Sequence, residues 1–107
     1  MGDVIFNKND YKILEALIER KCTAPVASLS ISQLKNITGM SLSKIRSVKD
    51  KFLLMNFIQE GSKDGNNKTF YTTEEGLKHF KLVFGFTDDD IEEMINDFRN
   101  MYEEGEE

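Results

Sequence analysis

The chain has 107 residues and a formal net charge of −5, enough for one domain around one modest core and above the size at which a fold needs staples. A single cysteine, Cys22, and a single histidine, His79, exclude an intrachain disulfide and any four-ligand Cys/His zinc site, and point to a reducing, cytoplasmic setting. The negative total argues at first against nucleic acid, but the charge is segregated: residues 1–87 hold 13 Lys and Arg against 9 acids, and residues 88–107 one Arg against 10 acids.

The stretch Met1 to Phe6 has no basic region and no long apolar run, so neither a signal peptide nor a membrane span is predicted. Phe6 also stands where a myristoylation motif needs Ser or Thr. Residues 9–21 read as a helix whose apolar face is Ile13, Leu14, Leu17 and Ile18, with Asn7 or Asn9 as cap and Asp10 favoured by the helix dipole. Thr23, Pro25, Ser28 and Ser30 break the pattern, leaving a short extended piece near Ala24–Val26 or Leu29–Ile31. A two-turn helix follows over 32–38, capped by Ser30 or Ser32, burying Leu34 and Ile37 and ending at Gly39.

Ser41 caps the next helix, which runs to about Met55 with Leu42, Ile45, Val48, Phe52 and Met55 on one side and Asn56 after its end. Residues 57–60 and 69–72 read as two strands, with a Gly- and Asn-rich hairpin loop between them. Thr73 caps a helix that turns Leu77, Phe80 and Phe84 inward and ends at Gly85. Thr87 caps the last helix, whose first turn is Asp88-Asp89-Asp90. Its apolar stripe is Ile91, Met94, Ile95, Phe98, Met101 and Tyr102.

The order joins three features: a short helix, a tight turn and a second helix; a strand–loop–strand directly after it; and a final amphipathic helix. Phe6-Asn7-Lys8-Asn9-Asp10-Tyr11-Lys12-Ile13-Leu14-Glu15-Ala16-Leu17, Ser41-Leu42-Ser43-Lys44-Ile45-Arg46-Ser47-Val48 and Phe70-Tyr71-Thr72-Thr73-Glu74-Glu75-Gly76 carry a resemblance. Through them residues 6–84 resemble the winged helix-turn-helix superfamily, in the style of the MarR and PadR regulators. The resemblance implies a mainly α fold with a small β-hairpin wing, a recognition helix from Ser41, and double-stranded DNA as partner. Two departures are Asn56 in place of the usual glycine and the lack of an arginine at the wing tip.

At a 3.6-residue period Ser43, Arg46, Ser47 and Asp50 point away from the core, with Lys44 and Lys51 on one flank. Arginine can pair with guanine, serine can reach base edges or phosphates, and a helix N-terminus favours a phosphate. The expected DNA contacts are therefore Ser41, Ser43, Lys44, Arg46, Ser47 and Lys51, with Lys63 and Lys68 on the wing. The last helix divides the chain into a DNA-binding part, 1–86, and an acidic amphipathic part, 87–107. Its stripe either packs on the first helix of its own domain or pairs with a second subunit; a homodimer is expected.

No enzyme constellation and no cofactor are expected: there is no Gly-rich phosphate loop, and Asp88–Asp90 suit the first turn of a helix better than a metal. His79 reads as a surface residue and Cys22 as a half-buried structural thiol. Three roles stay open. The chain could be a transcriptional regulator or repressor. It also resembles, in size and layout, the TubR-type adaptors of tubulin-like plasmid or phage partition systems. Its negative charge, finally, suits a winged-helix module that binds a protein and no DNA.

Overall fold

A computed structural model of the protein describes residues 6–103, with side chains as far as Met101. A 3-10 turn over Lys8–Tyr11 leads into α1 (Lys12–Glu19), followed by β1 (Leu29–Ser30), α2 (Ile31–Thr38) and α3 (Leu42–Leu54). Then come β2 (Ile58–Glu60), β3 (Thr69–Thr72), α4 (Glu74–Phe84) and α5 (Asp88–Glu103). This is a winged helix-turn-helix: α2 and α3 form the helix pair, and β2 and β3 flank the wing.

Local chemistry sets most boundaries. Asn7 and Asp10 cap each other reciprocally, side chain to backbone, at 3.0 and 3.1 Å. Ser30 and Gln33 form the same box at the start of α2. Thr87 and Asp90 form it before α5, so the acidic first turn there is a cap. The predicted helix over 9–21 is split: the 3-10 turn takes its beginning, and Lys21, with φ 55°, closes its end in the left-handed region. The amide of Cys22 then donates to the Leu17 carbonyl at 2.8 Å, which satisfies an orphan carbonyl of α1. Asn56, with φ 62°, ends α3 in the same way, and Phe57 N donates to Phe52 O at 2.9 Å.

The sheet is antiparallel in the order β1-β3-β2. Leu29 pairs with Phe70 and Ser30 with Thr69 on one side of β3; Ile58 pairs with Thr72 on the other. Of the two stretches expected to be extended, Leu29–Ser30 joins the sheet, whereas Ala24 and Ala27 bridge each other across the Pro25-Val26 turn.

The core is built from Ile13, Leu14 and Leu17 of α1, Leu34 of α2, Ile45, Val48 and Phe52 of α3, Ile58, and Phe70, all fully or almost fully buried. Each such side chain contributes about 1.5–3 kcal/mol of transfer free energy. Ile37, Leu42 and Met55 were expected in this core and are instead exposed, at 37%, 37% and 41%. All three lie at a helix end, past the stretch that the neighbouring elements cover.

The start of α4 presses directly on the sheet. A Cβ on Gly76 would lie 2.2 Å from the Phe57 carbonyl oxygen and 2.6 Å from Thr72 Oγ1. The Thr72 hydroxyl donates to that same carbonyl, while the Thr73 hydroxyl donates to Asn56 O and accepts from Gly76 N. The Thr-Thr-Glu-Glu-Gly stretch is thus a weld between the wing's second strand, the end of α3 and α4.

The acidic last helix does not stand apart from the body. It lies along α1, and Ile91 is buried in the common core with Met94 and Ile95 packed against it. The Arg20 guanidinium sits over the Phe98 ring, 4.3 Å from its centroid. Met101 is exposed, and the side chain of Tyr102 lies outside the described residues.

Candidate nucleic-acid interface

Gly39, left-handed at φ 73°, and the short run to Ser41 reverse the chain between α2 and α3. The Thr38 hydroxyl secures this turn by donating to Leu34 O and accepting from Met40 N. Ser41 then caps α3, its hydroxyl accepting from Lys44 N at 3.2 Å. Because Ile45, Val48 and Phe52 fix the inner face, Ser43, Arg46, Ser47 and Asp50 are forced outward, and all four are exposed. Ser41 is exposed beside them. Arg46 makes no ion pair among the described residues.

The two flanking lysines are held differently. Asp10 is completely buried, and both its carboxylate oxygens meet α3. Lys51 Nζ donates to Oδ2 at 3.4 Å, and the Asn7 amide donates to the same oxygen. Lys44 Nζ lies 3.3 Å from Oδ1 as a charge contact without hydrogen-bond alignment, since Oδ1 accepts no hydrogen bond. Lys51 also lies 5.3 Å from the centre of the Phe6 ring. These two lysines therefore anchor α3 to the entry turn, and their charge is partly compensated. From sequence, Asp10 was expected only as an acid favoured by the helix dipole, with Asn7 or Asn9 as the cap. The Asn7-x-x-Asp10 spacing was the available signal, but it identifies a cap and not the two lysines more than thirty residues away.

The wing reaches from Gly61 to Lys68. Its tip is closed by Asp64 and Asn67, whose amides and carbonyls exchange hydrogen bonds at 3.0 Å around Gly65, left-handed at φ 66°. Lys63 is exposed and unpaired among the described residues, while Lys68 lies 3.6 Å from Glu60 across the hairpin. The base of the wing is tied to the 24–28 turn: Ser62 N donates to Pro25 O, the Ser28 hydroxyl donates to Thr69 Oγ1, and the Thr69 hydroxyl donates to Ser62 O.

The remaining reactive side chains have structural work. His79 is half-buried, not a surface residue: its ring stacks on Phe57 at 4.3 Å and its Nε2 lies 2.8 Å from the Tyr11 hydroxyl. Burial lowers its pKa below the ordinary histidine value. Cys22 is buried, and burial pushes its thiol up, away from the reactive thiolate. Among the described residues no three His, Cys, Asp or Glu side chains come together as a metal site, and no helix is long and apolar enough to cross a membrane.

No protein-family model matches the chain. It is 42% identical over 77 residues to the DNA-binding protein TubR of Clostridium botulinum C phage, a match covering 72% of this chain and 95% of that protein. Among solved structures it resembles the DNA-binding TubR fragment from Clostridium botulinum at 40% identity and a TM-score of 0.60, covering 75% of this chain and 99% of that one. Lactococcus lactis ZitR, a zinc-responsive MarR family member, superimposes with a TM-score of 0.54 at 13% identity, over 96% of this chain and 78% of its own. That likeness carries the winged-helix fold through α5.

Proposed function

The chain belongs to the TubR family of DNA-binding proteins, and on that premise we propose that it binds double-stranded DNA, as a homodimer, and serves as the adaptor of a DNA partition system. The observation that carries this reading is the outward, exposed row Ser43, Arg46 and Ser47 in the N-terminal half of α3, with Lys63 exposed on the wing. Arg46 and the serines suit the edges of bases, and Lys63 suits a phosphate. Lys44, Lys51 and Lys68 are already paired in the free protein, so they add long-range attraction more than direct contacts. The chain is not an enzyme: the family it belongs to is one of DNA-binding proteins.

Partition is favoured over transcriptional regulation by the kinship with TubR, since the MarR-type likeness is one of fold only. Purified protein mixed with sheared DNA from its source, at near-physiological salt, should retain specific fragments. A tandem array of short repeats among them supports the adaptor. One or a few promoter palindromes would make the protein a regulator. No enrichment by a folded protein would leave the winged helix to a protein partner.

A further inference from the structure

A cleft of about 320 Å³ opens between the 3-10 turn, the start of α1 and the end of α4, and no candidate DNA contact lines it. Its walls are the rings of Tyr11, Phe80, Phe84 and Phe86. These rings hold one another in place. Phe84 stands edge-on to Tyr11 at 5.5 Å, and Phe80 lies 4.7 Å from Phe84 and edge-on to Phe86 at 5.8 Å. The Tyr11 hydroxyl is tied to His79. Gly85, left-handed at φ 69°, ends α4, and the Phe86 amide donates to Lys81 O at 2.9 Å, which brings the fourth ring into the cluster. Tyr11 and Phe80 are buried, and Phe84 and Phe86 half-buried. The walls are thus already ordered, as in a preformed small-molecule site.

The mouth is basic. Lys8 and Lys12 both line the cleft, both are exposed, and neither makes an ion pair among the described residues. Glu15 is the one acid in the lining, so two ammonium groups outweigh one carboxylate. The sign is particular to this place: the charged residues that line the neighbouring α1–α5 groove are all acids.

Size, walls and charge each narrow the occupant. The volume lies at the lower end of the range of about 300–1,000 Å³ for small-molecule sites. A helix about 10–12 Å across would not enter it. Ring walls favour a ring, which can stack on one of them or meet it edge-on. The excess of one positive charge favours a single negative one. We infer that the cleft is a binding site for a small aromatic acid in its anionic form, with its ring among Tyr11, Phe80, Phe84 and Phe86 and its acid group at Lys8 and Lys12. The inference does not rest on the DNA reading, and either can fail without the other.

The probe is naphthoate, titrated into the whole protein and followed by its amide chemical shifts. The signals of Lys8, Lys12, Phe84 and Phe86 should move in a saturable way. Neutral naphthalenemethanol has the ring without the charge and should bind about fivefold more weakly, the upper end for an exposed charge contact. Octanoate has the charge without the ring and should also bind more weakly. Lys8→Gln combined with Lys12→Gln changes only exposed side chains, so the core is untouched. That variant should bind naphthoate no better than the alcohol, and raised salt should act on the parent in the same direction. Naphthoate that moves signals elsewhere but not these overturns the site, as does equal binding to the parent and the double variant. Octanoate or the alcohol binding as tightly as naphthoate overturns the aromatic acid as its ligand. No saturable shift at millimolar probe also overturns the site.

Discussion

The hydroxyl of Tyr11 and Nε2 of His79 lie 2.8 Å apart, although 68 residues separate them in the chain. Burial raises the Tyr11 pKa, with Asp10 next door adding to the effect, so the hydroxyl keeps its proton. The hydroxyl can donate to Nε2 or accept from it, according to the tautomer of His79. Protonation would put a charge into a half-buried place, and that burial lowers the His79 pKa.

The pH dependence follows from that direction. The unfolded chain takes up its proton first, near the ordinary histidine value of about 6.5. The stability linked to neutral His79 is therefore complete above that value and is lost as pH falls toward the lower folded value. Thermal unfolding between pH 7.5 and 5.5 should show this loss. His79→Gln, which keeps an acceptor and removes the titration, should flatten the slope over the same window. An unchanged slope would assign the effect to other groups.

Asp10 should matter twice. Asp10→Asn keeps a side-chain acceptor for the Asn7 amide but removes the charge between Lys44 and Lys51. Because both lysines are partly exposed and can return to water, the loss should be about 1–2 kcal/mol in urea unfolding, less than for a fully buried pair. The same change takes one counter-charge from the Lys44 and Lys51 ammonium groups beside α3, so the salt dependence of DNA binding should steepen, by up to about 0.9 for each new phosphate contact. A slope that stays put would mean that these lysines face no phosphate.

Two glycines test different constraints. Gly76→Ala drives a methyl group onto the Phe57 carbonyl, and the backbone has to move; a cost of about 2–4 kcal/mol is expected. Gly39→Ala meets no atom within 4 Å and strains only the left-handed backbone, at about 1 kcal/mol. Equal costs by chemical denaturation would contradict the tight approach at Gly76.

The proposed DNA contacts divide between Arg46 and Lys63. Arg46→Ala should cost about 1–3 kcal/mol on the preferred site and little on unrelated DNA. Lys63→Ala should weaken all sequences alike and lower the salt slope by about 0.9. Titrations on both kinds of DNA at several salt concentrations separate the two behaviours.

Features written in adjacent residues were legible from sequence. The caps at Ser41, Thr73 and Thr87, the stops at Gly39, Asn56 and Gly85, and the hairpin between two short strands need only local chemistry, and the structure has them all. What escaped was long-range. The partner of β1 is forty residues away, Asp10 finds its lysines on α3, and His79 finds Tyr11. The stripe on α5 showed that a face is covered without showing by what, and its own α1 covers part of it. Arg46 and its serines were placed outward by periodicity alone. The same argument could not tell that the lysines on the flank were already occupied.

Ser30 ends β1 and caps α2, so no residue lies between the sheet that holds the wing and the helix pair. There is no slack at this junction. A single inserted residue would shift either the pairing with Thr69 or the cap, never neither. A push on the wing is passed through β3 and β1 straight into α2, instead of being absorbed by a flexible joint. The wing and the helix pair are therefore coupled as one lever through Ser30.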